Sequence, residues 1–207
     1  IPADADVVVC QRILADRAAK SAPQAQLVTL DNFLADPHLD ALYNALTSTA
    51  PVLDAKAEAA AKEQIEWGLH QADIIKISDE EVDFLWGLSP QESAQKLLTE
   101  YGASLVYVTL GPKGCYFANR NCTGEIASPA EIHVVDTTGA GDIFGGSAMS
   151  RFLKLNKAPA DLTKKELTAI TTFACCAASL STQKHGGITS VVPEAEVRER
   201  IARMVQA

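Results

Sequence analysis

The chain has 207 residues, enough for a domain with a sizeable hydrophobic core. Hydrophobic residues make up 47% and charged residues 21%, which excludes a disordered chain. The formal net charge of -8 argues against a nucleic-acid or anionic-membrane surface, so any phosphate must be met by local donors and a metal ion.

In chain order, the front carries no motif. VVVCQRIL (7–14) predicts a strand entering a helix, AQLVTLDNF (25–33) a buried strand ending in a loop, and PHLDALYNALTS (37–48) a helix by its spacing. From Asp54 the signals sharpen. DAKAEAAAKEQIEWGLHQ (54–71) is alanine-rich, with Ile65 and Leu69 four apart, and predicts a helix. ADIIKIS (72–78) predicts a short buried strand. DEEVDFLWG (79–87) predicts a helix with acidic residues in its first turn and Gly87 at its end. SPQESAQKLLTEYG (89–102) predicts another, opened by Ser-Pro and closed by Gly102. SLVYVTLG (104–111) is a strand running into a Gly-x-x-Gly turn. CYFANRN (115–121) and the segment up to EIHVV (131–135) predict strands of a small meander with a turn at NRN. Three helices follow: GAGDIFGGSAMSRFLK (139–154), KKELTAITTFACCAASLSTQ (164–183) and EAEVRERIARMVQA (194–207), with KHGGITSVVP (184–193) as a loop before the last. This alternation is that of an α/β domain with helices packed on a central sheet. The longest nearly apolar run, around 170–180, is shorter than the about 20 residues a bilayer needs, and no signal peptide is read. Five cysteines (Cys10, Cys115, Cys122, Cys175 and Cys176) without a C-x-x-C pair are expected to be free thiols in a reducing cytosol. Four scattered histidines give no zinc spacing.

Chemistry concentrates in DTTGAGD (136–142). A helix N-terminus leaves backbone N–H groups unpaired and carries partial positive charge. Gly139, Ala140 and Gly141 at such a start suit an anion, and Asp142 directly follows them. Asp142 could there take a proton from an attacking hydroxyl. A bare G-x-G-D string reads more readily as a tight turn with a capping aspartate. VTLGPKG (108–114) ends a strand in Gly-x-x-Gly, and KISDEEV (76–82) ends one in Ser78 with Glu81 three residues on; alone, these are a turn and a capping box.

Together, in this order, these motifs resemble the pfkB (ribokinase-like) family of carbohydrate kinases. DTTGAGD is similar to that family's C-terminal signature, VTLGPKG to its nucleotide-binding strand and turn, and ADIIKISDEEVDFLWG to the fructokinases, where serine commonly replaces the asparagine of N-x-x-E. KHGGITSVVPEAEV resembles the late adenine-side loop, and the resemblance runs from about Ala55 to the end. It implies a three-layer ribokinase-like α/β domain with a central, mostly parallel sheet flanked by helices. The expected organisation is one domain over 1–207, with 54–207 as the ATP-binding and catalytic part and 1–53 unassigned.

The resemblance implies an ATP-dependent sugar kinase with magnesium and potassium as cofactors. Its partners would be ATP and a small sugar, in a cytoplasmic protein that forms a homodimer and binds neither nucleic acid nor membrane. Asp142 would be the base, and Gly139, Ala140 and Gly141 would offer N–H groups to the transferred phosphoryl. Ser78 and Glu81 would lie at the nucleotide phosphates, Glu81 ordering magnesium through water. Thr109, Gly111, Lys113 and Gly114 would line the nucleotide groove, and Gly187 would lie near the adenine. Asp136 and Thr138, with carbonyls of residues 187–190, would shape the potassium site. Cys175 in FACCAAS stands where the resemblance leads one to expect an asparagine. The family's Gly-Gly sugar motif, early aspartate and β lid are not read before Asp54, so either a fragment or a diverged front is expected. A catalytically silent nucleotide-binding or regulatory relative stays open as the alternative.

Overall fold

The computed structural model describes residues 7–11, 15–30 and 55–206. The chain divides into two compact units, 1–60 and 61–207.

In the first unit, strand β1 (Val7–Gln11), helix α1 (Ala15–Ser21) and strand β2 (Gln26–Leu30) form a βαβ element. The strands pair in parallel with Val7 opposite Gln26 and Gln11 opposite Leu30. Parallel neighbours need a crossover, which α1 supplies. Asp16 in its first turn and Lys20 in its last suit the helix dipole. The helix expected at 37–48 lies outside the described residues.

Helix α2 (Ala55–Leu69) crosses into the second unit. Its expected apolar stripe is weak: Ile65 is 40% and Trp67 70% exposed. Its end is tied down by Glu66, whose Oε1 accepts from Trp86 Nε1 at 3.1 Å and from the Tyr101 hydroxyl at 3.0 Å. Strand β3 (Ile74–Ser78) leads without a break into helix α3 (Asp79–Trp86), which ends at Gly87 with φ 61°. Helix α4 (Pro90–Thr99) follows, opened by a Ser89–Glu92 capping box with Pro90 in the first turn. Strands β4 (Leu105–Thr109), β5 (Cys115–Asn119) and β6 (Thr123–Ile126) complete a sheet of order β3-β4-β5-β6. Helices α5 (Ala140–Leu153), α6 (Lys164–Ser181) and α7 (Glu194–Gln206) close the unit.

The sheet is mixed: β3 and β4 are parallel, whereas β4/β5 and β5/β6 are antiparallel. Short connections at Leu110–Gly114 and Arg120–Cys122 can join only antiparallel neighbours. The second turn is pinned from inside. Asn119 is buried; its Oδ1 accepts from the N–H groups of Asn121 (3.0 Å) and Cys122 (2.9 Å), and its Nδ2 donates to Leu162 O at 2.9 Å.

Strand alternation splits the core. Ile75, Ile77, Val106 and Val108 point to one face, where Val82 and Leu85 of α3 and Ala94 and Leu97 of α4 cover them. Leu105, Tyr107, Cys115 and Phe117 point to the other, against Phe144 and Ala148 of α5 and Leu167, Ile170 and Ala174 of α6. Fully burying one such large side chain contributes about 1.5–3 kcal/mol. A third cluster joins α6 to α7 through Cys176, Leu180 and Val197. The unit is thus helices, sheet, helices.

EIHVV is not a strand. Val134 and Val135 are exposed, and the N–H groups of Val135 and Asp136 both donate to Thr182 O, at 2.7 and 3.0 Å. This segment is held by the carboxyl end of α6, whose last carbonyls lack helical partners. Cys115, Cys122, Cys175 and Cys176 are free thiols. Among the described residues no helix is long and apolar enough to cross a membrane.

Candidate functional site

Ser78 and Thr109 are register partners at the carboxyl ends of parallel β3 and β4, the edge where open α/β sheets gather ligands. Ser78 caps α3. Glu81 N–H donates to Ser78 Oγ at 3.2 Å, while Ser78 N–H and Oγ–H donate to Glu81 Oε2 at 2.7 and 2.9 Å. Both carboxylate bonds fall on Oε2, so Oε1 of the exposed Glu81 has no partner among the described residues. The S-x-x-E spacing is a cap, and it still leaves one carboxylate oxygen free.

Past Thr109, the chain makes a 3-10 turn over Gly111–Lys113, closed by Leu110 N–H donating to Gly114 O at 2.8 Å. Gly111 and Lys113 are exposed. Gly114 has φ 118°, and a Cβ there would lie 1.9 Å from Ile126 O, so only glycine lets β5 begin beside the end of β6.

DTTGAGD sits at the N-terminus of α5. Gly139 has φ 76° and ψ 1°, and Ala140 N–H donates to Thr137 O at 3.1 Å, which is a type II turn over 137–140. This turn consumes the Ala140 N–H, one of the three donors expected from sequence to be free. The N–H groups of Gly139, Gly141 and Asp142 have no hydrogen-bond partner among the described residues. The carboxylate of Asp142 is exposed in the first helical turn and makes no hydrogen bond or ion pair among them. Asp142 therefore does not cap α5.

Asp136 organises the loop from the other side. Its Oδ1 accepts from Thr138 N–H at 2.9 Å and its Oδ2 from Gly186 N–H at 2.8 Å, with His185 Nδ1 3.9 Å away. The Gly186 N–H, then the Thr138 hydroxyl and N–H, hold its pKa down at about 2. The Gly186-Gly187 loop and DTTGAGD then meet backbone to backbone. A Cβ on Gly139 would lie 2.8 Å from Gly187 Cα. Gly187 O accepts from the Ser190 hydroxyl at 3.0 Å.

The residues present suit the expected ions in different ways. Among the described residues no group of three or more His, Cys, Asp or Glu could hold a metal. A magnesium ion would accordingly be held by phosphate oxygens and water, with Glu81 Oε1 as an outer partner. The single carboxylate of Asp136, each of its oxygens accepting from a backbone N–H, carries the low charge that would suit a potassium ion. Cys175 is 4% exposed, in the cluster beneath β4 and β5, and burial raises its thiol to about 12. One residue was missed in the sequence. Lys76 on β3 has its Nζ 3.0 Å from where a Gly141 Cβ would be. The signal was a lone cation inside the apolar strand IIKIS.

A family model described as pfkB family carbohydrate kinase matches residues 13–195. Fructokinase-1 of Zea mays is 37% identical over 134 residues, covering 64% of this chain and 41% of the relative. A crystal structure of fructokinase with bound ATP from Xylella fastidiosa superposes with TM-score 0.62 at 24% identity, covering 70% of this chain and 47% of that one. A fructokinase double mutant from Vibrio cholerae O395, in a form with bound fructose, ADP and potassium ion, gives 0.60 at 22% identity, covering 96% and 62%. The structural likeness shows a ribokinase-like α/β fold. The chain spans about two fifths of the length of the curated relative, 41%.

Proposed function

The chain belongs to the pfkB family of carbohydrate kinases, and we propose that it forms the nucleotide side of a fructokinase-like enzyme moving the γ-phosphoryl group of ATP to a sugar hydroxyl. The observation that carries this reading is the start of α5. Three N–H groups without partners and one uncapped carboxylate share a single helix N-terminus.

Asp142 takes the proton of the sugar hydroxyl as its oxygen bonds to the γ-phosphorus. The bond from that phosphorus to the bridging oxygen breaks, and ADP leaves. The N–H groups of Gly139, Gly141 and Asp142, helped by the α5 dipole, meet the charge on the equatorial oxygens as the group passes in line. A donor preorganised for such charge contributes about 2.7–4 kcal/mol. Thr109, Gly111, Lys113 and Gly114 form the nucleotide groove at the carboxyl edge of β4, and Gly187 lies on the adenine side. Glu81 Oε1 would orient the waters of a magnesium ion bound with the nucleotide, which would supply charge against the phosphates. Asp136, Thr138 and carbonyls of 187–190 would hold potassium, whose charge would steady the loop carrying the anion-binding N–H groups. The fructokinase relatives, one with bound ATP and one with bound fructose, ADP and potassium ion, support fructose as acceptor and a nucleotide with potassium as companions.

The test is ADP release with fructose, ribose and other sugars, wild type beside Asp142→Asn. The expected result is a fall in kcat of at least about 100-fold with little change in KM for ATP. The reading is refuted if no sugar stimulates wild-type turnover, or if Asp142→Asn keeps the wild-type rate. Stabilisation by Mg-ATP without turnover on any sugar is the result that the silent relative would give.

A further inference from the structure

We propose that Thr189 is a positioning residue for phosphoryl transfer: its hydroxyl fixes the His185–Gly186 peptide and, through it, Asp136 and the start of α5. The inference rests on the kinase reading above and gives a role to a side chain outside the groups named there.

Three contacts carry it. First, the Thr189 hydroxyl donates to His185 O at 2.9 Å, and Gly186 N–H donates to Asp136 Oδ2 at 2.8 Å. That carbonyl and that N–H are the two ends of one peptide unit. A planar trans peptide points them in opposite directions, so the two bonds hold the plane from both sides. Second, Gly186 has φ 85°, and a Cβ there would lie 2.7 Å from Thr189 Oγ1, so the hydroxyl sits close over a residue with no side chain to turn it away. Third, the clamped peptide reaches the start of α5 by two routes. Asp136 Oδ1 accepts from Thr138 N–H at 2.9 Å, and Gly187 Cα is the atom that a Gly139 Cβ would meet at 2.8 Å.

Among the described residues, His185 O accepts from no donor other than the Thr189 hydroxyl. Glycine adopts positive and negative φ about equally, so without that bond the backbone leaves this peptide free to rotate. A half-turn would bring His185 O, an acceptor, to face the Asp136 carboxylate, which would lose a donor. Donation into the carbonyl also polarises the unit and strengthens the N–H on its far side. Once the plane is loose, Gly187 is no longer set against Gly139. The Gly139 N–H stands with those of Gly141 and Asp142, all three without partners among the described residues. Donors of this kind act by where they point as charge develops, so loosening them slows transfer more than it weakens ATP binding.

Two measurements compare wild type, Thr189→Val and Thr189→Ser. Hydrogen exchange followed by NMR reads the Gly186 amide, with the amides of β4 reporting global stability. Thr189→Val is expected to speed Gly186 exchange about three- to tenfold and to leave β4 unchanged, and Thr189→Ser to reverse the change. ADP release with fructose gives the second reading. Thr189→Val should lower kcat about three- to tenfold with KM for ATP nearly unchanged, and Thr189→Ser should restore most of the loss. Unchanged Gly186 exchange in Thr189→Val, or equal acceleration throughout β4, overturns the inference while the kinase reading stands. A wild-type kcat in Thr189→Val, or a raised KM for ATP with kcat kept, does the same. If no sugar stimulates wild-type turnover, the kinase reading falls and the positioning role falls with it, whatever the exchange shows.

Discussion

Gly139 and Gly187 face each other across two loops, yet only one of them should resist a side chain. Gly139 has φ 76°, and a Cβ built on it lies 2.8 Å from Gly187 Cα, a backbone atom that cannot swing away. Gly187 carries no positive φ, and its own Cβ would find Gly139 Cα at an ordinary 3.7 Å. The left-handed conformation costs an alanine about 1–2 kcal/mol. Displacing packed backbone adds about 1–3 kcal/mol. Gly139→Ala is therefore expected to destabilise by about 2–5 kcal/mol, and Gly187→Ala by no more than about 0.5 kcal/mol. Gly87 isolates the conformational part. It has φ 61° with nothing within 4 Å, so Gly87→Ala should cost only about 1–2 kcal/mol. Urea unfolding of the three variants reads these differences as midpoint shifts at constant slope. If Gly139→Ala costs no more than Gly87→Ala, the contact between the loops is not tight. If Gly187→Ala costs as much as Gly139→Ala, the asymmetry has been misread.

Asp136 predicts a pH dependence. Its pKa is about 2 in the fold against an ordinary 3.8, so its contribution is complete above 3.8 and lost as pH falls through about 2. The melting temperature of wild type should exceed that of Asp136→Asn by a constant amount above 3.8, and the gap should close towards 2; a gap that widens in acid contradicts the hydrogen-bond assignment. Asn119→Leu should leave Leu162 O and the N–H groups of Asn121 and Cys122 without partners, at a cost of about 3 kcal/mol in urea unfolding, whereas loss under about 1 kcal/mol would mean the turn finds other partners.

Much of the fold was legible because the rules that set it are local. Ser78–Glu81 caps its helix as the spacing said, Ser89 and Pro90 open the next as read, and Gly87 ends its helix in the left-handed region. The NRN turn sits where it was read, although its anchor, Asn119 on Leu162 O, spans 43 residues and carries no local signal. The segment 131–135 was misread for a related reason. Its apolar alternation suits a strand, but its backbone found the end of α6 instead of a neighbouring strand. Strand direction was also not fully legible, since an apolar run does not say whether its partner runs parallel; the short links on either side of β5 decided that.

For the candidate site the division is similar. The order of residues alone determined that glycines and an aspartate would open a helix at 139–142, that Ser78 and Glu81 would pair, and that the chain resembles a kinase family whose model matches it. These depend on dihedral freedom, capping and motif, which act within a few residues. Tertiary structure decided that the Ala140 N–H is spent in a turn, that Asp136 bonds Gly186 across 50 residues, and that Lys76 reaches Gly141 from the sheet. Those are matters of which backbone lies opposite which, and packing of the sheet against α5 and α6 sets that only once the whole unit has closed.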